Sequence, residues 1–154
     1  MKEYLFPVEY KRGKPWDTQM IGLWVDSGLP YLTFAFNRFF PHSLSHETFW
    51  LYLYYTKSSS EDRQFQGKLR YRFQVIDWAE VPFDRLDTHL FPSELDAKIW
   101  FWCNRFEEVT NIFGNMLAYE DFRHSEGKNL ASCLRSSIAP VICAIKPLVK
   151  RHYP

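Results

Sequence analysis

The chain has 154 residues, with 19 Lys plus Arg against 18 Asp plus Glu for a formal net charge of +1. That is a single-domain length, and the balance excludes both a polybasic tail protein and an acidic disordered one. Hydrophobic residues make up 46%, but 19% of the chain is aromatic, so some rings are expected to line a pocket or meet a partner rather than fill a core.

Lys2 to Tyr10 alternates as a strand, with Pro7 expected at an edge or bulge. Gly13, Pro15, Gly22, Gly28 and Pro30 then punctuate a stretch read as irregular, which holds Trp16 and Trp24. Leu32 to Phe36 reads as a short strand closed by Pro41. In Thr48–Thr56, Trp50, Tyr52 and Tyr54 share one face while Phe49, Leu51, Leu53 and Tyr55 share the other. Two apolar faces predict a central strand covered on both sides.

A polar connection, Lys57 to Gly67, leads to Lys68–Asp77. There Leu69, Tyr71, Phe73 and Val75 oppose Lys68, Arg70, Arg72 and Gln74, which predicts a half-buried strand with a basic outer face. A loop rich in Pro and Asp runs from Val81 to Asp96, and Lys98 to Asn104 reads as a further strand. Asn111 to Phe122 is read as helical from the spacing of Ile112, Phe113, Met116 and Leu117. Asn129 is expected to cap a second short helix bearing Leu130, Leu134 and Ile138. Val141 to Ile145 closes the fold as a strand. The basic tail 147–154 reads as the start of a linker to a further domain, leaving 1–146 as one domain. The predicted class is α+β, mainly β: a strongly curved sheet or barrel with peripheral short helices.

The sequence supplies little for catalysis. His42 and His46 lack the Glu of a zinc-protease motif and sit in a loop beside Pro41. Cys103, Cys133 and Cys143 form no Cys-x-x-Cys; an odd, scattered set points to a reducing compartment, and Cys103 and Cys143 are expected as small core residues. No glycine-rich phosphate loop is present. Adjacent Glu107 and Glu108 read as a solvated strand end. No catalytic residue, metal or cofactor is therefore assigned, and this chain alone is not expected to be an enzyme. No apolar run has transmembrane length, and MKEYLFPVEYKRGK has no long apolar stretch behind its charges. The expected location is the cytoplasm, without a membrane partner.

Charge and rings carry the remaining signal. Lys57, Arg63, Lys68, Arg70 and Arg72 face only Glu61 and Asp62 within their segment, and the tail adds Lys146, Lys150 and Arg151. Such a face either tracks a phosphate backbone or is a solvated sheet face with local ion pairs. Trp16, Trp24 and Trp78 stand beside Gly, Pro or Asp at loop or strand-end positions. They either stack a flat base, worth ~1–3 kcal/mol, or plug the open end of a small barrel. Trp50 is expected in the core, and Trp100 and Trp102 share a strand face.

An opening YLFPV strand, Gly22-Leu23-Trp24, a strand ending Tyr-Tyr-Thr-Lys, then GKLRYRFQVID, AKIWFWCNRFEEV and LRSSIAPVI follow one another. This order resembles the PUA-like superfamily, within it the EVE branch related to YTH and ASCH domains. With its basic trailing segment it looks most like the N-terminal target-recognition domain of archaeal McrB-type restriction GTPases. The resemblance covers nearly the whole chain in order and texture, without one diagnostic motif. It implies a curved β-barrel with flanking helices and nucleic-acid binding, often with a modified base held in an aromatic cage. Trp24 matches the tryptophan after the first strand; Trp78 and Trp102 are further cage candidates, and Asp26-Ser27-Gly28 departs from the pattern. The base pocket so expected is Trp24, Trp78, Trp102 and Trp16, with Lys68, Arg70, Arg72 and Lys57 on phosphates. Partners would be DNA or RNA, and restriction-complex subunits through a linked domain. The alternatives are an ASCH-type hydrolase of modified nucleosides, using Thr56 and Lys57 with Glu80 or Glu107, and a protein-interaction module.

Overall fold

A computed structural model of the chain describes residues 1–8, 10–11, 14–36, 44–56, 63–80, 99–134 and 138–153. The expectations for Pro41, for residues 57–62 and for the loop at 81–96 fall outside them. The strands are β1 (Glu3–Val8), β2 (Tyr10–Lys11), β3 (Lys14–Pro15), β4 (Leu32–Phe36), β5 (Phe49–Tyr55), β6 (Lys68–Leu69), β7 (Tyr71–Ala79), β8 (Ile99–Thr110), β9 (Leu117–Ala118), β10 (Phe122–His124), β11 (Ala139–Cys143) and β12 (Leu148–Tyr153). Two helices accompany them, α1 (Trp16–Ser27) and α2 (Leu130–Cys133).

Eight strands form one sheet in the order β10-β11-β1-β5-β7-β8-β12, with β4 also paired to β8. The sheet is mixed, because β1 runs parallel to β5 while β5, β7 and β8 are antiparallel neighbours. The mainly-β expectation holds, but no described pairing joins β10 to β12, so the sheet is not closed into a barrel.

β5 sits between β1 and β7 because both its faces are apolar. Phe49, Leu51, Leu53 and Tyr55 enter one buried cluster with Met20, Ile21 and Trp24 of α1. Tyr52, flanked by Trp50 and Tyr54, enters a second cluster with Leu117, Phe122, Leu130 and Leu134. Pro7 is tolerated within β1 for a local reason. Even-numbered residues of β1 bond to β5, as Trp50 N–H to the Lys2 carbonyl and Thr56 N–H to that of Val8. Odd-numbered residues face β11, whose pairing ends at Leu5. The missing N–H of Pro7 thus falls on a stretch that no strand among the described residues pairs with.

Strand β8 runs far past the expected Lys98–Asn104 segment. Its register against β7 skips Asn104, and that of β7 skips Ile76. A bulge reverses side-chain parity. Ile99, Phe101 and Cys103 face the first cluster, as does Phe106 beyond the bulge, while Val109 joins the second.

Three sequence expectations are corrected. The irregular stretch after Gly13 contains α1, whose Met20, Ile21 and Trp24 are buried at helical spacing. The helix stops where Gly28 adopts φ 66°, a left-handed conformation common just past a helix end. Asn111–Phe122 is no helix but a turn, the short β9, a single 3-10 turn at Tyr119–Asp121 and β10. The tail is not a bare linker, since Leu148–Tyr153 pairs with β8 from Thr110 back to Phe106. Asn129 does cap α2, accepting from the backbone N–H groups of Ala131 and Ser132.

Candidate functional site

The basic face of β7 is answered by β8. Register sets Tyr71 opposite Glu108 and Arg72 opposite Glu107. Arg72 donates from Nε to Glu107 Oε2 at 2.7 Å and from Nη1 to the Tyr52 hydroxyl at 3.1 Å. Arg105 donates to Glu107 Oε1 at 2.6 Å, and the Tyr52 hydroxyl donates to Glu3 Oε1 at 2.7 Å. The Arg72 guanidinium lies 4.0 Å from the Trp50 ring centroid and that of Arg105 5.6 Å, within cation–π range. Burial lowers the Arg72 pKa, but Tyr52 and Glu107 outweigh it and the net shift is upward. Burial, then the nearby Glu3 carboxylate, pushes the Tyr52 hydroxyl well above its ordinary value. Arg70 lies 3.7 Å from Glu108, which Lys150 approaches equally.

Arg70 and Arg72, expected on phosphates, are thus engaged within the protein. Glu107, expected at a solvated strand end, is only 3% exposed with both oxygens occupied. It offers no free base to the hydrolase set, whose Lys57 lies outside the described residues.

The expected ring pocket is dispersed. Trp24 is 5% exposed; its Nε1 donates to the Leu29 carbonyl at 2.7 Å and its ring packs against Phe106 with centroids 5.6 Å apart. It is a core residue and leaves no face for a base. Trp78 is half-buried, donates from Nε1 to the Ser45 carbonyl at 2.8 Å and stacks on exposed His46 at 4.7 Å and 17°. Trp102 is half-buried on β8. Trp16 opens α1, and its side chain, like His42 and Lys57, lies outside what is described. Along β7, Trp78 stands roughly 20 Å from Arg72 at ~3.3 Å per residue, so the rings and the arginines do not converge.

Lys68, one of the expected cations, lines a groove. It pairs through β6 with Ala118 of β9. The groove, of about 450 Å³, is lined by Lys68, Asn111, Asn115, Met116, Ala118 and Asp121, a volume in the range of small-ligand pockets. The turn above it is held by Asn111, whose Oδ1 accepts from Phe113 N at 2.9 Å and Asn115 N at 3.0 Å. Gly114, at φ 79°, closes the turn by donating to the Asn111 carbonyl at 3.0 Å. Ile112 and Phe113 stand at its tip, 71% and 80% exposed. Among the described residues, Lys68 has no ion-pair partner. Asp121 Oδ2 accepts from Ala118 N at 2.8 Å. The sequence signal for this site was the Asn-Ile-Phe-Gly-Asn run, a turn composition that apolar helical spacing masked.

The cysteines are unreactive where their state is defined. Burial raises the Cys103 thiol well above its ordinary value, and burial pushes Cys143 up to about 11, so both are thiols at neutral pH. Among the described residues, no three His, Cys, Asp or Glu side chains gather as metal ligands, and no helix is long and apolar enough to cross a membrane. Compared with family models, curated proteins and solved structures, the chain matches none.

Proposed function

We propose that this chain is a non-catalytic nucleic-acid-recognition module that binds through the Lys68 groove and the Ile112–Phe113 tip. One observation carries the reading: among the described residues Lys68 has no ion-pair partner, and it lines a groove together with two carboxamides, of Asn111 and Asn115, whose turn also carries exposed Phe113. A cation there suits the phosphates and base acceptors of a nucleic acid, the Asn111 amino group and the Asn115 side chain suit base edges, and Phe113 suits stacking on an unpaired base. The resemblance to the EVE branch of the PUA-like superfamily leads to the same class. It extends the proposal to targeting within a modification-dependent restriction system in the cytoplasm, with any catalysis in a linked domain or partner. Reading of a modified base would then fall to Trp78, Trp102 or the groove, because Trp24 is enclosed.

Fluorescence anisotropy with single- and double-stranded DNA and RNA, with and without base methylation, at two salt concentrations tests this. Lys68→Glu should weaken binding of every strand, because it puts an anion where the groove presents a cation, and should lower the salt dependence of binding. Binding that ignores Lys68→Glu would overturn the assignment. The apolar character of Ile112 and Phe113 favours a second reading, a protein-docking module, which a salt-independent absence of nucleic-acid binding would support.

A further inference from the structure

Two opposite charges line the Lys68 groove without meeting. Lys68 and Asp121 both border it, yet no salt bridge joins them among the described residues. Each therefore keeps its hydrogen-bonding capacity for something between them. Such a ligand needs an acceptor edge toward the ammonium and a donor edge toward the carboxylate. It also needs a flat face for Met116 in the groove.

Resting on the nucleic-acid reading above, we infer that the groove selects guanine. Guanine carries two acceptors, O6 and N7, on one edge, and a lysine on that pair is a common base-specific contact. Its adjoining Watson–Crick edge presents two donors, N1–H and the N2 amino group, to which a carboxylate is the complementary acceptor. Adenine places an amino donor where Lys68 needs an acceptor. Cytosine has an amino donor but only acceptors beside it. Thymine and uracil offer one acceptor and one donor where guanine offers two of each. Asp121 is positioned for this role by its own backbone bond, because Oδ2 is anchored on the Ala118 N–H at 2.8 Å while Oδ1 is not. The Watson–Crick edge is accessible only in an unpaired base, so the ligand is guanine in a single strand or in a free nucleotide.

The test uses the full chain and labelled thymine tracts of ~12 nucleotides carrying one central guanine, hypoxanthine, 7-deazaguanine or adenine, with free GMP as competitor. The guanine strand should bind about tenfold more tightly than the all-thymine strand, the scale of one good bidentate base contact. Hypoxanthine, which lacks the N2 amino group, and 7-deazaguanine, which lacks N7, should each forfeit much of that gain. Asp121→Asn keeps an acceptor for the Ala118 N–H but loses the carboxylate; it should abolish the guanine preference, so that guanine and thymine strands bind with equal affinity. Equal affinity for guanine and thymine strands would overturn the guanine assignment while nucleic-acid binding stood. GMP binding without strand binding would support the guanine site and overturn the nucleic-acid reading. Binding of neither would overturn both.

Discussion

Glu107 is buried, and cations meet both its carboxylate oxygens, Arg72 at Oε2 and Arg105 at Oε1. Removing one partner from such a set leaves buried charge uncompensated, which costs about 3–5 kcal/mol. Glu107→Ala should therefore lower the urea unfolding free energy by that order, whereas Glu108→Ala, on a more exposed and longer contact, should cost ~1 kcal/mol or less. Trp24 makes the complementary point for an apolar side chain. Trp24→Ala opens a cavity against Phe106 and should cost about 3–5 kcal/mol, yet leave nucleic-acid affinity of the folded fraction unchanged. A selective loss of affinity without destabilisation would return Trp24 to a binding role. Neither assignment was visible in the sequence. Alternation showed that Arg70 and Arg72 share a face, but only the β7–β8 register shows that acidic residues lie opposite. The glycine and aspartate around Trp24 resembled a loop because they occupy the solvent side and the end of α1.

Elements were legible in proportion to how little they depended on partners. The two-sided apolar pattern of β5 and the alternation of β7 emerge from single segments, and the structure has both as interior strands. The Asn129 cap was legible for the same reason. Asn129→Ala should cost ~1 kcal/mol, read as a shift in unfolding midpoint. The region after Thr110 was misread because Ile112, Phe113, Met116 and Leu117 have helical spacing, while the decisive interactions are side chain to backbone. Asn111 Oδ1 takes two N–H groups that a helix would have turned to carbonyls, a known competition for this residue type. Gly114 completes the turn at a φ that a Cβ disfavours. Gly114→Ala should destabilise by ~1–3 kcal/mol and weaken ligand binding at the groove, as it would displace Asn115 and Phe113 together; calorimetry and anisotropy on one sample check both. The length of β8 was hidden by its bulge, which breaks period-two alternation at Asn104.

At the scale of the molecule, one polar chain crosses four consecutive strands of the sheet. Glu3 on β1 meets Tyr52 on β5, Tyr52 meets Arg72 on β7, and Arg72 meets Glu107 on β8. Its weak point is alkaline. Tyr52 is held protonated far above its ordinary pKa of 10.0, first by burial and then by Glu3; burial raises Tyr4 as well, and it moves Cys143 from 9.0 to about 11. In the unfolded chain these groups release protons at their ordinary values, while in the folded chain they retain them. The unfolded state therefore binds fewer protons in that range, and stability must fall as pH rises. This part of the stability is complete below pH ~9, diminishes through about 11 for Cys143 and continues to diminish at higher pH for Tyr52. Urea midpoints measured from pH 7 upward should be flat to about 9 and then decline. Tyr52→Phe should start lower, having lost two hydrogen bonds, but descend less steeply, because the group that releases its proton only on unfolding is gone. A variant with the wild-type slope would place the alkaline sensitivity elsewhere than at the junction of Glu3, Tyr52 and Arg72.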